Sequence, residues 1–413
     1  MKKDFMFTSE SVTEGHPDKL CDQISDAIVD HFLEQDPHSM IRAECAVATS
    51  ILFIAARFAS RATVDFPTVA RKVIQSIGYD DQDFNSKTCS ILTSLKELPL
   101  DNYWLVDEEK LSDDEIERIA VRNQDTVFGF ACNQTSALMP LPIWLAHQLA
   151  MQISFVRRKK LLPYLAPDAK TQVGVEYRDH RPHRIHGITI TTSHKGTHGP
   201  PLKKLHDDIH EAVIQPVFEK EAIRPDSTTV LHVNPVGNVM VGGPAVHSGL
   251  TGRKNGLDTS GEYCRYSGSA LSGKDPLRID RVGVYAARYA AKNVVAAGLA
   301  EECEVQLSYS IGLPRPVSIQ VETFDTGRLP DADIAALLEK HFEFRIAGIL
   351  KEFRLRTLPA RSKGGFFQKL AAYGHVGRMD LDLPWERTDK AQLLSECSAR
   401  SGKPKHSKRS KLE

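Results

Sequence analysis

One stretch constrains this chain more than any other: residues 249–288, GLTGRKNGLDTSGEYCRYSGSALSGKDPLRIDRVGVYAAR, in which cations recur among glycines until Ala286-Ala287 opens an evident helix. Arg253, Lys254, Lys274, Arg278 and Arg281 stand on what reads as a loop. Glycine lets backbone come close to a ligand, and Lys and Arg donate charge-assisted hydrogen bonds, so such a loop meets several phosphate oxygens at once. Asp275 and Asp280 lie between the bases. A polyphosphate would repel them unless Mg²⁺ bridged the two, because Mg²⁺ takes one or two carboxylates together with phosphate oxygens. The stretch therefore predicts a polyphosphate held with a metal. Residues 268–274 fit G-x-x-x-x-G-K, but Asp275 stands where the metal-binding Ser or Thr belongs and Pro276 follows. No apolar strand leads in, so an ordinary P-loop is not expected. Alone, the heptad is also what a solvated surface loop would show.

A second signal lies at residues 7–30, FTSESVTEGHPDKLCDQISDAIVD. Pro17 suits a first helical turn, and Leu20, Ile24 and Ile28 fall on one apolar stripe. His16 and Asp18 thus mark a helix start, where free N–H groups and the helix dipole favour an anion. His-Pro-Asp alone is a cap; beside the first stretch it points to a site.

The 413 residues suffice for two or three domains, and formal charge is zero, so no global field selects nucleic acid or membrane. Seven scattered cysteines without a C-x-x-C pair read as reduced thiols of a cytoplasmic protein. Neither a secretory signal nor an apolar run of membrane-spanning length is present.

The periodicities predict strand-like segments within residues 40–58, a helix over 66–77 ended by Gly78, and a strand over 89–95. Residues 98–114 read as a solvated connection rather than a lid. Next come a strand at 126–132, a helix at 142–162, a strand pair at 172–177 and 184–192, a helix at 202–219 and a strand at 228–233. After the glycine-rich stretch follow a helix over 282–300, strands at 304–311 and 317–323, and a helix from 331 to 344. Each third mixes strands with helices, hinting at a threefold repeat. His180, His183, His186, His194 and His198 are expected to face solvent. The tail from Ala399 is basic, aperiodic and expected to be flexible.

Residues 7–30, GGPAVHSGLTGRK at 242–254, SGKDP at 272–276, YAARYAAKN at 285–293 and LSYSIG at 307–312 closely resemble the S-adenosylmethionine synthetase family, in the family's order. The resemblance runs from about Phe5 to Leu394. It implies an α+β fold of three similar domains with pseudo-threefold symmetry, placed at 1–101, 115–240 and 241–394 with a basic tail at 395–413. It also implies a homodimer or homotetramer with active sites shared between subunits, and no nucleic-acid or membrane partner.

The implied reaction is attack of a thioether sulfur on C5′ of ATP, release of triphosphate, and its hydrolysis to pyrophosphate and phosphate. A thioether has no proton to lose, so catalysis rests on orientation and on stabilising the departing oxygens. By resemblance His16 would neutralise the leaving O5′, and Lys170, Arg253, Lys254 and Lys274 would hold the triphosphate. Asp168, Asp258 and Arg278 would also contact the nucleotide or substrate. Asp18 and Asp280 would ligate Mg²⁺, two ions per site, and Glu44 would bind K⁺.

The acceptor side departs from the family. A glutamate after a Gly-Gly pair becomes Arg57, in Ala55-Ala56-Arg57. The aspartate that pairs with the methionine ammonium becomes Asn123, and the aspartate four residues before Thr-Gly-Arg becomes His247. The Arg-Phe that packs on adenine becomes Asn238-Val239, and a lysine becomes Ala48. Arg278 keeps the charge that meets a substrate carboxylate. Losing carboxylates while gaining Arg57 removes the partners of an ammonium group, and a buried unpaired ammonium costs several kcal/mol. The expectation is an adenosyltransferase whose acceptor is a thioether acid without the α-amino group. An ordinary methionine adenosyltransferase and a non-catalytic regulatory homologue are the alternatives.

Overall fold

The computed structural model describes residues 3–80, 82–100, 107–196, 199–237 and 241–401. Strand β1 (Phe5–Val12) leads to helix α1 (Pro17–Gln35). Pro17 occupies the first helical position, where its missing N–H goes unneeded. An antiparallel pair follows, β2 (Met40–Ala48) and β3 (Ile51–Ala59), then α2 (Phe66–Ile77) and β4 (Ser90–Glu97), which runs parallel to β3. The same order returns as β5 (Asp125–Cys132), α3 (Leu141–Arg158), the pair β6 (Leu165–Arg178) and β7 (Arg181–His194), α4 (Leu202–Ile209) and β8 (Val230–Val233). A third round gives β9 (Gly249–Leu250), α5 (Ile279–Ala296), the pair β10 (Glu302–Tyr309) and β11 (Ser318–Glu322), and α6 (Asp331–His341). This is the α+β fold with a threefold repeat that the resemblance implies.

The first strand of each round leaves its own pair for the next. The sheets run β1-β6-β7-β8, β11-β10-β5 and β4-β3-β2-β9. So β1 joins the second round, β5 the third and β9 the first, closing a circle. The boundaries 1–101, 115–240 and 241–394 consequently separate stretches of sequence rather than self-contained sheets. One apolar core joins α1, α2, β2 and β3 to α5, β10 and residues of α6, while a second lies between α3, α4 and the β6-β7 pair.

Several expectations shift. The pair β2-β3 turns through Thr49 at φ 47, without the glycine or asparagine that would have signalled a hairpin. β6 begins at Leu165 rather than 172, and so carries both Asp168 and Lys170. The helix expected at 202–219 passes through a wider π turn at His210–Ile214. His194 is buried, 4% exposed, against the ring of Tyr164. A helix over Ala391–Ser401 crosses the position where the tail was expected to open. Residues 101–106, His198, Asn238, Val239 and 402–413 lie outside the described residues. Of the expected connection, residues 107–114 carry a short turn at Glu108–Lys110 and the start of a capped helix at Asp113–Ile116.

Candidate active site

The start of α1 is fixed from every side. Glu14 is gripped by Arg157 and Arg158 at 2.7 and 2.6 Å, at the basic C-terminal end of α3. The Tyr79 hydroxyl donates to the Gly15 carbonyl, and Thr13 bonds the backbone at Pro167 and Ala169. β9 crosses over the helix so closely that a Cβ on Gly249 would stand 2.2 Å from the Pro17 carbonyl carbon. Only glycine fits there.

His16 is the N-cap, 3% exposed. The Asp18 N–H donates to its Nδ1 at 3.2 Å, which makes Nδ1 the acceptor and leaves the neutral ring's proton on Nε2. Burial pushes the ring's pKa down to about 4, outweighing the attraction of Asp168 and Asp18. His16 is therefore a neutral N–H donor at ordinary pH.

Around it stand residues from β6 and from the loop before β9. Asp168 is 5% exposed, and its Oδ2 accepts from the Gly243 N–H at 2.8 Å and lies 3.0 Å from His247 Nε2. Burial works to raise the Asp168 carboxyl, but these bonds and the neighbouring His16 hold it below the ordinary value. Its Oδ1 is buried with no hydrogen-bond partner. Lys170, two residues on, is exposed and in register with Val12 at the end of β1, near enough to His16 to oppose its protonation. Arg253 Nε lies 3.5 Å from Asp18 Oδ1 and Lys254 Nζ 2.7 Å from Glu10 Oε1.

A second group hangs two turns further along α1. Asp26 receives Arg281 in a bidentate pair at 2.8 and 2.9 Å and the Gly273 N–H at 2.8 Å. Gly273, at φ +79, passes so close to the Ala43 carbonyl that a Cβ would stand 2.0 Å from its oxygen. Lys274 therefore emerges beside β2 and forms an ion pair with the buried Asp280 at the start of α5. No helix follows Lys274 directly, as the missing P-loop features anticipated. Arg281, counted among the loop's cations, is fully buried against Asp26 and the Phe367 ring, so it braces the loop rather than facing a ligand.

The sequence reading missed what aligns these loops. Asp18, Asp22, Asp26 and Asp30 recur every four residues on one face of α1. They accept backbone N–H groups from Leu250, Gly252, Gly273 and residues 366–368, respectively. The spacing was a visible signal; its partners, more than 200 residues away, were not. Asp258, expected at the nucleotide, is instead 1% exposed and held by Lys19 at 2.5 Å beside Asp22.

Comparison with known proteins settles the kinship. The family models described as S-adenosylmethionine synthetase N-terminal, central and C-terminal domain match residues 4–99, 118–239 and 241–387. The chain belongs to the S-adenosylmethionine synthetase family. It is 50% identical over 410 residues to the S-adenosylmethionine synthase of Microcystis aeruginosa, covering 96% of this chain and 99% of that protein. Identity to the S-adenosylmethionine synthase of Gloeothece citriformis is 48%, over 96% of this chain and 98% of the relative. For that of a Synechococcus strain it is 49%, over 95% and 97%. Membership in this family makes the chain a transferase.

The residues at which this family member departs from the expected pattern are scattered over the fold. His247 is on Asp168. Asn123 is half-buried in the bend before β5, a segment pinned by backbone bonds to residues 312 and 313. Arg57 is exposed on β3, in register with Arg42 on β2 and Lys96 on β4, so three cations form a row across the open face of that sheet. Arg278 is the half-buried N-cap of α5.

The metals the family implies fare differently. Asp280 Oδ1 is buried without a hydrogen-bond partner, which suits a divalent cation beside phosphate. Glu44, expected to bind K⁺, is exposed on β2, and its carboxylate pairs with Arg42 at 2.6 Å. Among the described residues no helix is long and apolar enough to cross a membrane.

Proposed function

We propose that this chain transfers the adenosyl group of ATP to the sulfur of methionine. The observation that carries the chemistry is the neutral Nε2–H of His16 at the start of α1, flanked by Lys170 and Arg253. The methionine acceptor rests on the relatives' names. A sulfur lone pair forms the bond to C5′ as the C5′–O5′ bond breaks, and the electron pair leaves on O5′ of the triphosphate. His16 donates its N–H to that oxygen as charge develops, an interaction stronger in the transition state than before it. Lys170, Arg253, Lys254 and Lys274 hold the phosphate oxygens. Asp18 and Asp280 would hold Mg²⁺, which when bound screens the triphosphate charge.

Two copies complete the site in this reading. Asp18 and Asp26, which anchor the two groups of residues, are eight positions apart on α1, or about 12 Å at 1.5 Å per residue. The open face of the β4-β3-β2-β9 sheet supports a docked partner: Leu250, Ala46, Phe53 and Leu92 lie in one row, with Leu250, Phe53 and Leu92 exposed by 44, 41 and 54%. A second copy would cover that face and bring its Lys274 and Asp280 toward the other's His16.

A second reading keeps the transfer but changes the acceptor to a thioether acid lacking the α-amino group. The row Arg42, Arg57 and Lys96 favours it: Arg42 already holds Glu44, and Arg57 and Lys96 beside that pair offer their charge to a carboxylate. Calorimetry with methionine and a non-hydrolysable ATP analogue separates the two. Under the first reading methionine binds tightly to the wild-type chain. Under the second it binds weakly, and Asn123→Asp with His247→Asp restores about tenfold or more, since a regained charge-assisted bond is worth 1.5–3 kcal/mol. Wild-type affinity unchanged by the double substitution would remove the second reading.

A further inference from the structure

We infer that His16, Asp168 and His247 form a chelating site for one transition-metal dication, Zn²⁺ or its Co²⁺ surrogate, apart from any cation that accompanies triphosphate. One ligand atom from each of the three residues lies within 4.8 Å of the others. Zinc bonds of about 2.0–2.2 Å in a tetrahedron hold ligand atoms roughly 3.3–3.6 Å apart, so closing around the ion asks for shifts on the order of 1 Å. Two imidazoles and one carboxylate with a fourth position open is the ligand set of a zinc site, and imidazole selects such metals over Mg²⁺.

Two further observations point to a cation at this place. Asp168 Oδ1 is buried and lacks any hydrogen-bond partner, while Oδ2 is already fixed by the Gly243 N–H at 2.8 Å. Behind His16, Asp18 Oδ2 lies 3.7 Å from Nδ1. A metal on Nε2 moves the ring's single proton to Nδ1, where it gives up the 3.2 Å bond from the Asp18 amide and gains that carboxylate. Metal-bound histidines are oriented in this way by an outer carboxylate. His247 occupies the position at which the family resemblance expects an aspartate, so the second imidazole is this chain's own contribution. An ion held here takes the nitrogen with which His16 would meet O5′; zinc and ATP are therefore competitors.

The test uses the full chain, stripped with chelator and titrated calorimetrically with ZnCl₂ and, separately, MgCl₂, without nucleotide. The side chain of His247 is 34% exposed, so its replacement leaves the fold intact, and thermal melting of the metal-free variants checks this. The expected result is a strong site for one Zn²⁺ that Mg²⁺ does not occupy at the same concentration. H247Q and H247A should each weaken that site at least about tenfold, the lower end of what loss of even an outer-shell partner costs. Co²⁺ should give the intense visible absorption of a four-coordinate ion in the wild type, and H247Q should lose it. Absence of a strong zinc site, or a site that keeps its wild-type affinity in both variants, overturns the proposal. Both readouts are independent of turnover, so failure of the adenosyl-transfer reading would leave this result interpretable.

Discussion

His16 gains its role from two circumstances that no single residue supplies. It caps a helix whose next amide, that of Asp18, fixes its tautomer, and it is buried so that the ring stays neutral. A depressed histidine pKa means the ring takes up its second, charging proton only as the pH falls to about 4, well below the value for a free imidazole. The kcat of the enzyme should therefore show no step between pH 6 and 7 from this group. His16→Asn keeps a hydrogen-bond donor but misplaces it; His16→Ala removes it. The alanine variant should lose about 10²–10³ in kcat, the usual cost of one donor to a developing oxyanion, with the KM for ATP changed much less. A loss confined to KM would show that His16 only binds. Asp168 belongs at this scale too: the family resemblance named it, but its seat on β6 was not legible, because residues 165–171 lack the alternation that marks a strand.

At the scale of elements, α1 organises the site. Its apolar stripe was legible from spacing alone, and so was the start at Pro17. The acidic face was equally periodic, yet its meaning depended on loops from residues 250, 252, 273 and 366–368, which sequence does not place. The same limit applies to the strands. β1, β5 and β9 pair with β6, β10 and β2, and nothing local distinguishes a strand that stays from one that joins the next sheet. The contents of the repeat could be read, then, and the circular exchange could not. Gly249→Ala tests how tightly β9 and α1 are seated. The added methyl meets the Pro17 backbone, so one element must move. Urea denaturation should give a stability lower by about 1–3 kcal/mol, as overpacking does, with a greater fall in activity because His16 and Asp18 shift. Unchanged stability would mean that the contact is looser than the structure has it.

For the whole molecule, the account requires that two chains meet. The row Leu250, Ala46, Phe53 and Leu92 is apolar and uncovered on a sheet whose other face is core. Phe53→Asp with Leu92→Asp should convert a dimer to a monomer in sedimentation equilibrium and abolish turnover while leaving far-ultraviolet dichroism unchanged. A monomeric wild-type chain that is fully active would contradict the shared site. Above this stands the reaction itself. Incubation of the wild-type chain with ATP, methionine and Mg²⁺, quenched over time, with the sulfonium product followed by mass spectrometry and phosphate and pyrophosphate by enzymatic assay, tests it most directly. The account predicts S-adenosylmethionine, pyrophosphate and phosphate in equal amounts; phosphate released from ATP with no sulfonium product would contradict it.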